Sequence, residues 1–274
     1  MYSLRISKRQ EPLGPGGSCL VLFAALIVSL LLSALFLLLG GVSPVQGIAA
    51  LFQGGFGSRW ALEDSVLKGI PIFLCSLGVG VAFRLKIWNI GAEGQFALGA
   101  IGATWVALSF PHWPGYLLIP SMILMAMVGG GFWALIPALL RQRLRTNEII
   151  VTLMLNYIAI LLLDYLVYGV WKDPTSFGFP MTPSFSENAI VGKIGSTTIN
   201  WGLFHCLGLG ILVWVFFRFT TIGFEIKAAG DNVRAARYAG LPYDWLVILV
   251  MMLSGALAGW AGFLEASATV NLLQ

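Results

Sequence analysis

The sequence RFTTIGFEIKAAGDNVRAARYAGLPYDW, residues 218–245, is a long polar interruption between two apolar segments. Asp231 or Asn232 can cap a short helix there, with Val233–Tyr238 as its body. Gly240 then stands where such a helix would end. A slim, basic helix of this kind is typical of an element that docks a soluble partner. A solvated loop whose arginines only follow the positive-inside distribution explains the pattern equally well.

The composition of the rest of the chain predicts a membrane protein. The chain has 274 residues, of which 58% are hydrophobic and 10% are charged. Its apolar residues occur in runs near the length that crosses a bilayer. We therefore expect an all-α polytopic membrane protein with about seven transmembrane helices. The net charge of +4 comes from basic residues scattered through loops, so it indicates membrane topology and not nucleic-acid binding.

The apolar runs predict the order of crossings. They lie at residues 18–40, 65–83, 92–110, 115–140, 148–170, 201–218 and 244–265. Residues 1–17 would form a cytosolic tail, and residues 18–274 one transmembrane domain. Residues 41–64, with a short interfacial helix at 45–52, and the segment 171–200 would be external. The loop 219–243 would be cytosolic.

The positions of the basic residues support this orientation, with the N-terminus in the cytosol. Twelve Lys and Arg residues fall on the predicted cytosolic side: Arg5, Lys8, Arg9, Arg84, Lys86, Arg141, Arg143, Arg145, Arg218, Lys227, Arg234 and Arg237. Four fall on the external side: Arg59, Lys68, Lys172 and Lys193.

No pattern in the sequence predicts catalysis, a metal site or a bound cofactor. The three cysteines are isolated in or beside apolar runs, and the two histidines are far apart in sequence. The sequence contains no Walker motif and no nucleophile motif. If ATP drives the protein, we expect the ATPase to be a separate chain.

The stretch from Arg84 to Gln95 is polar and runs directly into a helix of small residues. Polar groups at membrane depth are tolerated where they are buried in protein or line a watery cavity. An ordinary cytosolic turn with Glu93 at a helix start explains the stretch equally well. On the first interpretation, four side chains line or gate a pathway: Trp88, Asn89, Glu93 and Gln95.

Three further polar residues lie in apolar helices. Asn156 and Asp164 fall in the crossing 148–170, and Glu265 falls near the end of the last crossing. Each should face a partner or an aqueous path. Asn156 and Asp164 are therefore pathway candidates, with an interhelical hydrogen bond as the alternative, favoured for Asn156. Gly255 and Gly259 form a GxxxG pattern that predicts close helix packing.

Two blocks of residues resemble a known family. Residues 88–95, WNIGAEGQ, resemble the FNIGAEGQ signature of permeases in bacterial ABC importers for nucleosides and simple sugars. Residues 223–240 and 254–262 resemble that family's second block, and the resemblance extends over roughly residues 65–265. Lys227 stands where the family often has Arg. Family members usually continue with further membrane helices, so we expect a C-terminally truncated member or one in which those helices are dispensable.

The resemblance implies a permease subunit in the bacterial inner membrane, working beside an ABC ATPase, a second permease subunit and an extracytoplasmic binding protein. The helix Asp231 to Tyr238 then looks like the coupling helix that the ATPase pushes. The coupling residues implied are Gly230, Asp231, Asn232, Arg234, Ala235, Ala236, Arg237, Tyr238 and Gly240. Nucleosides are the expected cargo, with simple sugars as the alternative. An ion-coupled transporter using Asp164 and Glu265 also remains open, and a membrane enzyme is disfavoured because polar groups do not cluster.

Overall fold

Helices form almost all of the regular structure in the computed structural model, which describes residues 14–176 and 178–274. The α-helices are α1 Pro15–Leu39, α2 Pro44–Phe56, α3 Arg59–Arg84, α4 Ala92–Ser109, α5 Gly115–Leu144, α6 Glu148–Tyr165, α7 Gly202–Phe219, α8 Thr221–Asp231, α9 Val233–Tyr238 and α10 Tyr243–Leu264. Extended pairing within these ranges is limited to one isolated bridge between Lys193 and Asn200. The prediction of an all-α protein is confirmed.

Six of the described helical segments are long and apolar enough to cross a membrane. They comprise α1, α3, α5, α6 with its π-helical end Leu166–Val170, α7, and α10 with its π-helical end Glu265–Val270. The predicted third crossing is α4, which has 18 residues but is rich in small and polar ones. Half of the residues of α4 are buried among its neighbours, so its low apolarity is compatible with a place inside the bundle.

Residues 14–62 belong to one compact unit. A proline occupies the first turn of both α1 and α2, where its missing N–H is not needed. The apolar window of α1 is unburied within the structure, as expected for a lipid-facing span. Arg5, Lys8 and Arg9 lie outside the described residues, so the predicted cytosolic tail stays a prediction.

Two boundaries near the end of this unit differ from expectation. The predicted interfacial helix at residues 45–52 is longer, and α3 begins at Arg59 instead of residue 65. The hydroxyl of Ser58 accepts a hydrogen bond from the Ala61 N–H at 3.1 Å, which helps α3 to start there. Asp64 and Lys68 form an ion pair at 3.1 Å across one helical turn, which supports the same start. Asp64 is therefore helical and not part of an external loop.

The second compact unit runs from Glu63 to Gln274 and is built around α10. This helix packs most extensively on α5 and α4, and small residues form the contact. A Cβ atom at Gly259 would stand 2.1 Å from the carbonyl oxygen of Ala126, and one at Gly255 would stand 2.3 Å from that of Gly130. The GxxxG pattern thus packs inside the bundle as predicted, because only glycine allows the two backbones this close.

Residues 171–176 and 178–200 lie mostly outside regular helices and strands, but hydrogen bonds hold this segment to the end of the chain. Backbone N–H groups of Thr182, Phe185 and Val191 donate to carbonyl groups of residues 267–273 at 2.9–3.2 Å. Phe185 and Val191 are buried in the core at the same end of α10. At the exposed start of the segment, hydrogen bonds from Thr175 hold the pKa of Asp173 below its usual value. The segment therefore covers the end of α10.

Candidate functional site

The polar interruption that attracted attention in the sequence contains two helices, not the single predicted one. Thr220 caps α8, since its hydroxyl accepts the Gly223 N–H at 3.0 Å. Ile226 and Ala229 of α8 are fully buried, which explains why this stretch folds as a helix against the bundle. Asp231 is the last residue of α8 and does not cap the next helix. Of the two predicted caps, Asn232 has this role and Asp231 does not, and the predicted helix body Val233–Tyr238 is confirmed.

The second helix, α9, is capped and exposed. The side-chain oxygen of Asn232 accepts the N–H groups of Arg234 and Ala235 at 3.0 and 3.1 Å. Gly240 has a φ angle of +80°, the left-handed conformation that ends a helix. Ala236 packs into the core and fixes the inner face of α9. Val233 is half-buried, and the other four residues of α9 are exposed.

The outer face of α9 presents an aromatic ring and two cations. Tyr238 is 96% exposed, and Arg234 and Arg237 are exposed beside it. Arg237 also lies 5.2 Å from the centre of the Tyr243 ring and 3.5 Å from the Asp244 carboxylate. Tyrosine and arginine are enriched among the residues that contribute most to binding at the centres of protein interfaces. The arrangement can bind an acidic or mixed protein surface.

α8 connects this exposed helix to the rest of the bundle. A Cβ atom at Gly230 would stand 2.0 Å from the carbonyl oxygen of Arg84, the last residue of α3. The backbone of α8 therefore touches the end of α3 directly. Arg84 also places its guanidinium 5.4 Å from the centre of the Phe217 ring, at the end of α7. This contact joins the segment that carries α9 to the end of α3.

Three buried side chains, here called the polar clasp, join the start of α4 to the middle of α10. They are Asn89, Gln95 and Ser254, each no more than 2% exposed. The Asn89 amide donates to the Gln95 carbonyl and to the Ser254 hydroxyl, both at 2.9 Å. The Gln95 amide donates back to Asn89 at 3.0 Å. The clasp fixes the connection between α3 and α4.

Asn156 holds the same connection from a third side. Its side-chain oxygen accepts the Gly94 N–H at 2.9 Å, and its amide donates to the Ile90 carbonyl at 2.9 Å. The interhelical hydrogen bond favoured for Asn156 is therefore present. Asn89, Gln95 and Asn156 are enclosed by protein and brace α4.

A groove lies between α3 and the first turn of α4, and it is here called the α3–α4 groove. It has a volume of about 940 Å³. Its lining residues are Lys68, Pro71, Ile72, Cys75, Ser76, Val79, Gly80, Phe83, Ala92, Glu93, Phe96 and Glu265. The walls are mainly apolar, with charged groups from three different helical segments. A groove of this size can hold a small organic molecule.

The structure separates the remaining predicted pathway residues. Glu93 lines the α3–α4 groove. Trp88 is 55% exposed and packs edge-on against Phe83, whose own ring lines the groove, with 5.1 Å between ring centres. Asp164 is exposed near the end of α6 and does not line the groove. The predicted pathway residues thus occupy three different environments.

Sequence reasoning missed two parts of this arrangement. Ser254 was treated only as part of a small-residue helix, and nothing local indicates that it meets Asn89, 165 positions earlier. The meeting of Lys68 and Glu265 in one groove was also missed. A signal existed in α3, where Lys68, Ile72, Ser76 and Phe83 recur at helical spacing on one face.

Comparison with protein families gives a match over most of the chain. Residues 61–272 match the family described as branched-chain amino acid transport system / permease component. The match contains the polar clasp, the α3–α4 groove and both α8 and α9. The comparison with solved structures found no match.

Comparison with characterised proteins gives relatives that are named as permease proteins of ABC transporters. The nucleoside ABC transporter permease protein NupB of Lactococcus lactis is 34% identical over 252 residues, which cover 89% of this chain and 69% of NupB. The guanosine ABC transporter permease protein NupP of Bacillus subtilis is 33% identical over 91% of this chain and 72% of NupP. The glucose ABC transporter permease protein TsgB13 of Haloferax volcanii is 33% identical over 82% of this chain and 61% of TsgB13.

Proposed function

Because this chain belongs to the family of branched-chain amino acid transport system permease components, we propose that it is the membrane subunit of an ATP-driven importer for nucleosides. Two of the relatives, at 33–34% identity, are named for nucleoside and guanosine transport. A relative at 33% identity is named for glucose, so a simple sugar is the second candidate cargo. Nucleosides are preferred because the groove walls carry the aromatic rings of Phe83 and Phe96.

The observation that carries the mechanism is the exposure of α9. A six-residue helix with its own cap, two exposed arginines and a 96% exposed tyrosine is suited to enter a groove of a cytosolic partner. The partner we propose is the ABC ATPase subunit, which would bind and hydrolyse ATP. The coupling residues are those at positions 230–232, 234–238 and 240.

Force from the ATPase would pass along α8. Gly230 is in direct backbone contact with Arg84, and α3 continues from there along the wall of the α3–α4 groove. The polar clasp keeps the start of α4 attached to α10 while α3 is displaced. The groove would then change width when α9 moves. In this mechanism Glu93 and Trp88 lie at the end of the groove where α3 would move relative to α4.

The other proposed partners follow from the same activity. A second permease subunit, identical or related, would pair with this chain in the bilayer. An extracytoplasmic binding protein would deliver the cargo to the side on which residues 171–200 lie. The N-terminus and α9 would face the cytosol of the bacterial cell, with the chain in the inner membrane.

Ion-coupled transport is the alternative that the sequence left open. It needs Asp164 and Glu265 to act on one path, whereas the α3–α4 groove contains Glu265 and not Asp164. Ion-coupled transport also provides no function for the exposed face of α9. The observations therefore favour the ATP-driven importer.

The docking role of α9 is tested by charge reversal. The double variant Arg234→Glu, Arg237→Glu should lose co-purification with the ATPase subunit, because the two cations face outward on α9. The matched control is Arg143→Glu, Arg218→Glu, which reverses two exposed arginines in the last turns of α5 and α7. ATPase binding that survives in the α9 variant, or is lost equally in both, would contradict the docking role.

A further inference from the structure

The charged residues of the α3–α4 groove show that it is not a lipid-facing furrow. Lys68, Glu93 and Glu265 all line it, and all three belong to helical segments of the bundle. Charged side chains in membrane proteins face water, protein or a ligand because exposing them to hydrocarbon is costly. Three such groups around a volume of about 940 Å³ therefore indicate a groove that faces water, protein or a ligand and not lipid tails.

The balance of charge in this groove is negative. Lys68 is held by Asp64 at 3.1 Å, which offsets the one cation. Lys68 also interacts electrostatically with Glu265, so the one cation of the groove is shared between Asp64 and Glu265. Neither Glu93 nor Glu265 is in a salt bridge with any residue within 14–176 or 178–274. The groove lining thus carries two carboxylates and one cation, and the apolar walls strengthen the net negative field.

The apolar walls complement a flat ring. Phe83 and Phe96 line the groove together with Ile72 and Val79, and Ser76 adds one exposed hydroxyl. Aromatic side chains stack on nucleobases irrespective of the base, and hydroxyl and carboxylate groups can bond to sugar hydroxyls. A nucleoside presents both kinds of surface, and its phosphorylated form adds negative charge.

We propose that the α3–α4 groove is a charge-selective cargo site that admits an uncharged nucleoside and rejects the corresponding nucleotide, with Glu93 and Glu265 as the residues that determine this selectivity. This inference rests on the proposed import of nucleosides. It goes beyond that function because it assigns the site, the sign of its field and the residues responsible.

Cys75 is a native reporter inside the groove, since it lines the wall and is partly exposed. We would treat the assembled transporter, in membrane vesicles, with a cationic and an anionic methanethiosulfonate of similar size. Modification is read from the Cys75 peptide by mass spectrometry, and each rate is normalised to the rate with a free thiol. The cationic reagent should react about tenfold faster than the anionic one, because a negatively lined cleft concentrates cations.

The variants Glu93→Gln and Glu265→Gln should each reduce this preference, and the double variant should bring the normalised rates close to equality. Lys172→Gln, outside the groove lining, is the matched control and should leave the preference unchanged. Saturating uridine should slow the modification, while uridine monophosphate should not. Equal rates for the two reagents in the unmodified chain, or equal protection by the two compounds, would overturn charge selection.

A second reporter thiol in the same groove allows the measurement even if Cys75 does not react. Ser76 is exposed in the same groove, so Ser76→Cys in a background with Cys19→Ser, Cys75→Ser and Cys206→Ser repeats the measurement at a more accessible position. If both reporters are unreactive, lipid or a partner helix covers the groove and the proposal is wrong. ATP-driven uptake of uridine, measured in the same vesicles, shows separately whether the proposed import itself holds.

Discussion

Gln95 illustrates how much a single buried carboxamide fixes in this bundle. Both of its polar atoms are used by Asn89, and Asn89 in turn reaches Ser254 on α10. The sequence marks Gln95 as polar near a membrane helix, which suggests a pathway. The structure shows a residue that is 1% exposed and joined to protein on all sides. A polar residue in an apolar segment either lines a transport pathway or makes buried hydrogen bonds between helices. Contacts with residues distant in sequence decide between these two roles.

The substitution Gln95→Leu should destabilise the bundle by about 1–2 kcal/mol, because it removes both buried hydrogen bonds between Gln95 and Asn89. The Asn89 amide then keeps only Ser254 as a partner, and its carbonyl keeps only the Gly91 N–H. Thermal unfolding of the detergent-purified protein measures the effect. Gln53→Leu, at an exposed site on α2, is the control and should change the unfolding temperature little. Equal effects of the two variants would show that the polar clasp contributes nothing to stability.

The exposed ring of Tyr238 belongs to the docking face, so Tyr238→Ala should weaken binding of the ATPase subunit. A central aromatic anchor contributes about 2 kcal/mol, which corresponds to about a thirtyfold increase in Kd. The Kd is measured by titrating purified ATPase onto the reconstituted permease. Tyr116→Ala removes another exposed tyrosine, 77% exposed at the start of α5, and should leave the Kd unchanged. A Kd that responds equally to both substitutions would argue against α9 as the contact.

At the scale of elements, apolar run length predicted most helices because the bilayer thickness fixes how many residues a crossing needs. The bounds of α4, α6, α7 and α10 agree with the predicted crossings to within a few residues. The division of residues 219–243 into two helices was not predicted. It depends on Ile226 and Ala229 being buried against α3 and α10, and a tertiary contact of this kind leaves no local pattern.

Helix contact through Gly259 gives a test at this scale. Gly259→Ala should destabilise the bundle by about 1–3 kcal/mol, because its Cβ atom would stand 2.1 Å from the Ala126 carbonyl oxygen and force α5 and α10 apart. Gly208→Ala, on α7 with no atom within 4 Å of the new Cβ, is the matched control. In detergent, the unfolding temperature of Gly259→Ala should be lower than that of Gly208→Ala. A Gly259→Ala protein that is as stable as the unmodified chain would refute the close packing.

Contact between α8 and α3 is tested by Gly230→Ala, whose Cβ atom would stand 2.0 Å from the Arg84 carbonyl oxygen. We expect the ATPase subunit still to bind, because α9 is intact, while uridine taken up per ATP hydrolysed falls several-fold. Lys227→Ala, at an exposed position of the same helix, is the control and should keep the wild-type ratio. An unchanged ratio in Gly230→Ala would show that force does not pass through this contact.

At the scale of the whole molecule, the proposed function requires that residues 171–200 lie outside the cell and that α9 lies in the cytosol. In cells expressing a cysteine-free background, Ser196→Cys should react with an impermeant maleimide from outside, since Ser196 is exposed and the segment 171–200 is predicted to be external. Arg234→Cys, on α9, should react only after the cells are permeabilised. Reaction of Arg234→Cys in intact cells would place α9 outside and would rule out an encounter with a cytosolic ATPase.

The central claim is that an ATPase, through α9, drives a nucleoside across the membrane. It is tested most directly by reconstituting this chain with its ATPase, its permease partner and its binding protein in liposomes, and by measuring uptake of radiolabelled uridine. The account predicts uptake that requires enclosed ATP, persists when ionophores dissipate all ion gradients, and is abolished by Arg234→Glu with Arg237→Glu. Uptake that follows an ion gradient and is indifferent to ATP would contradict it.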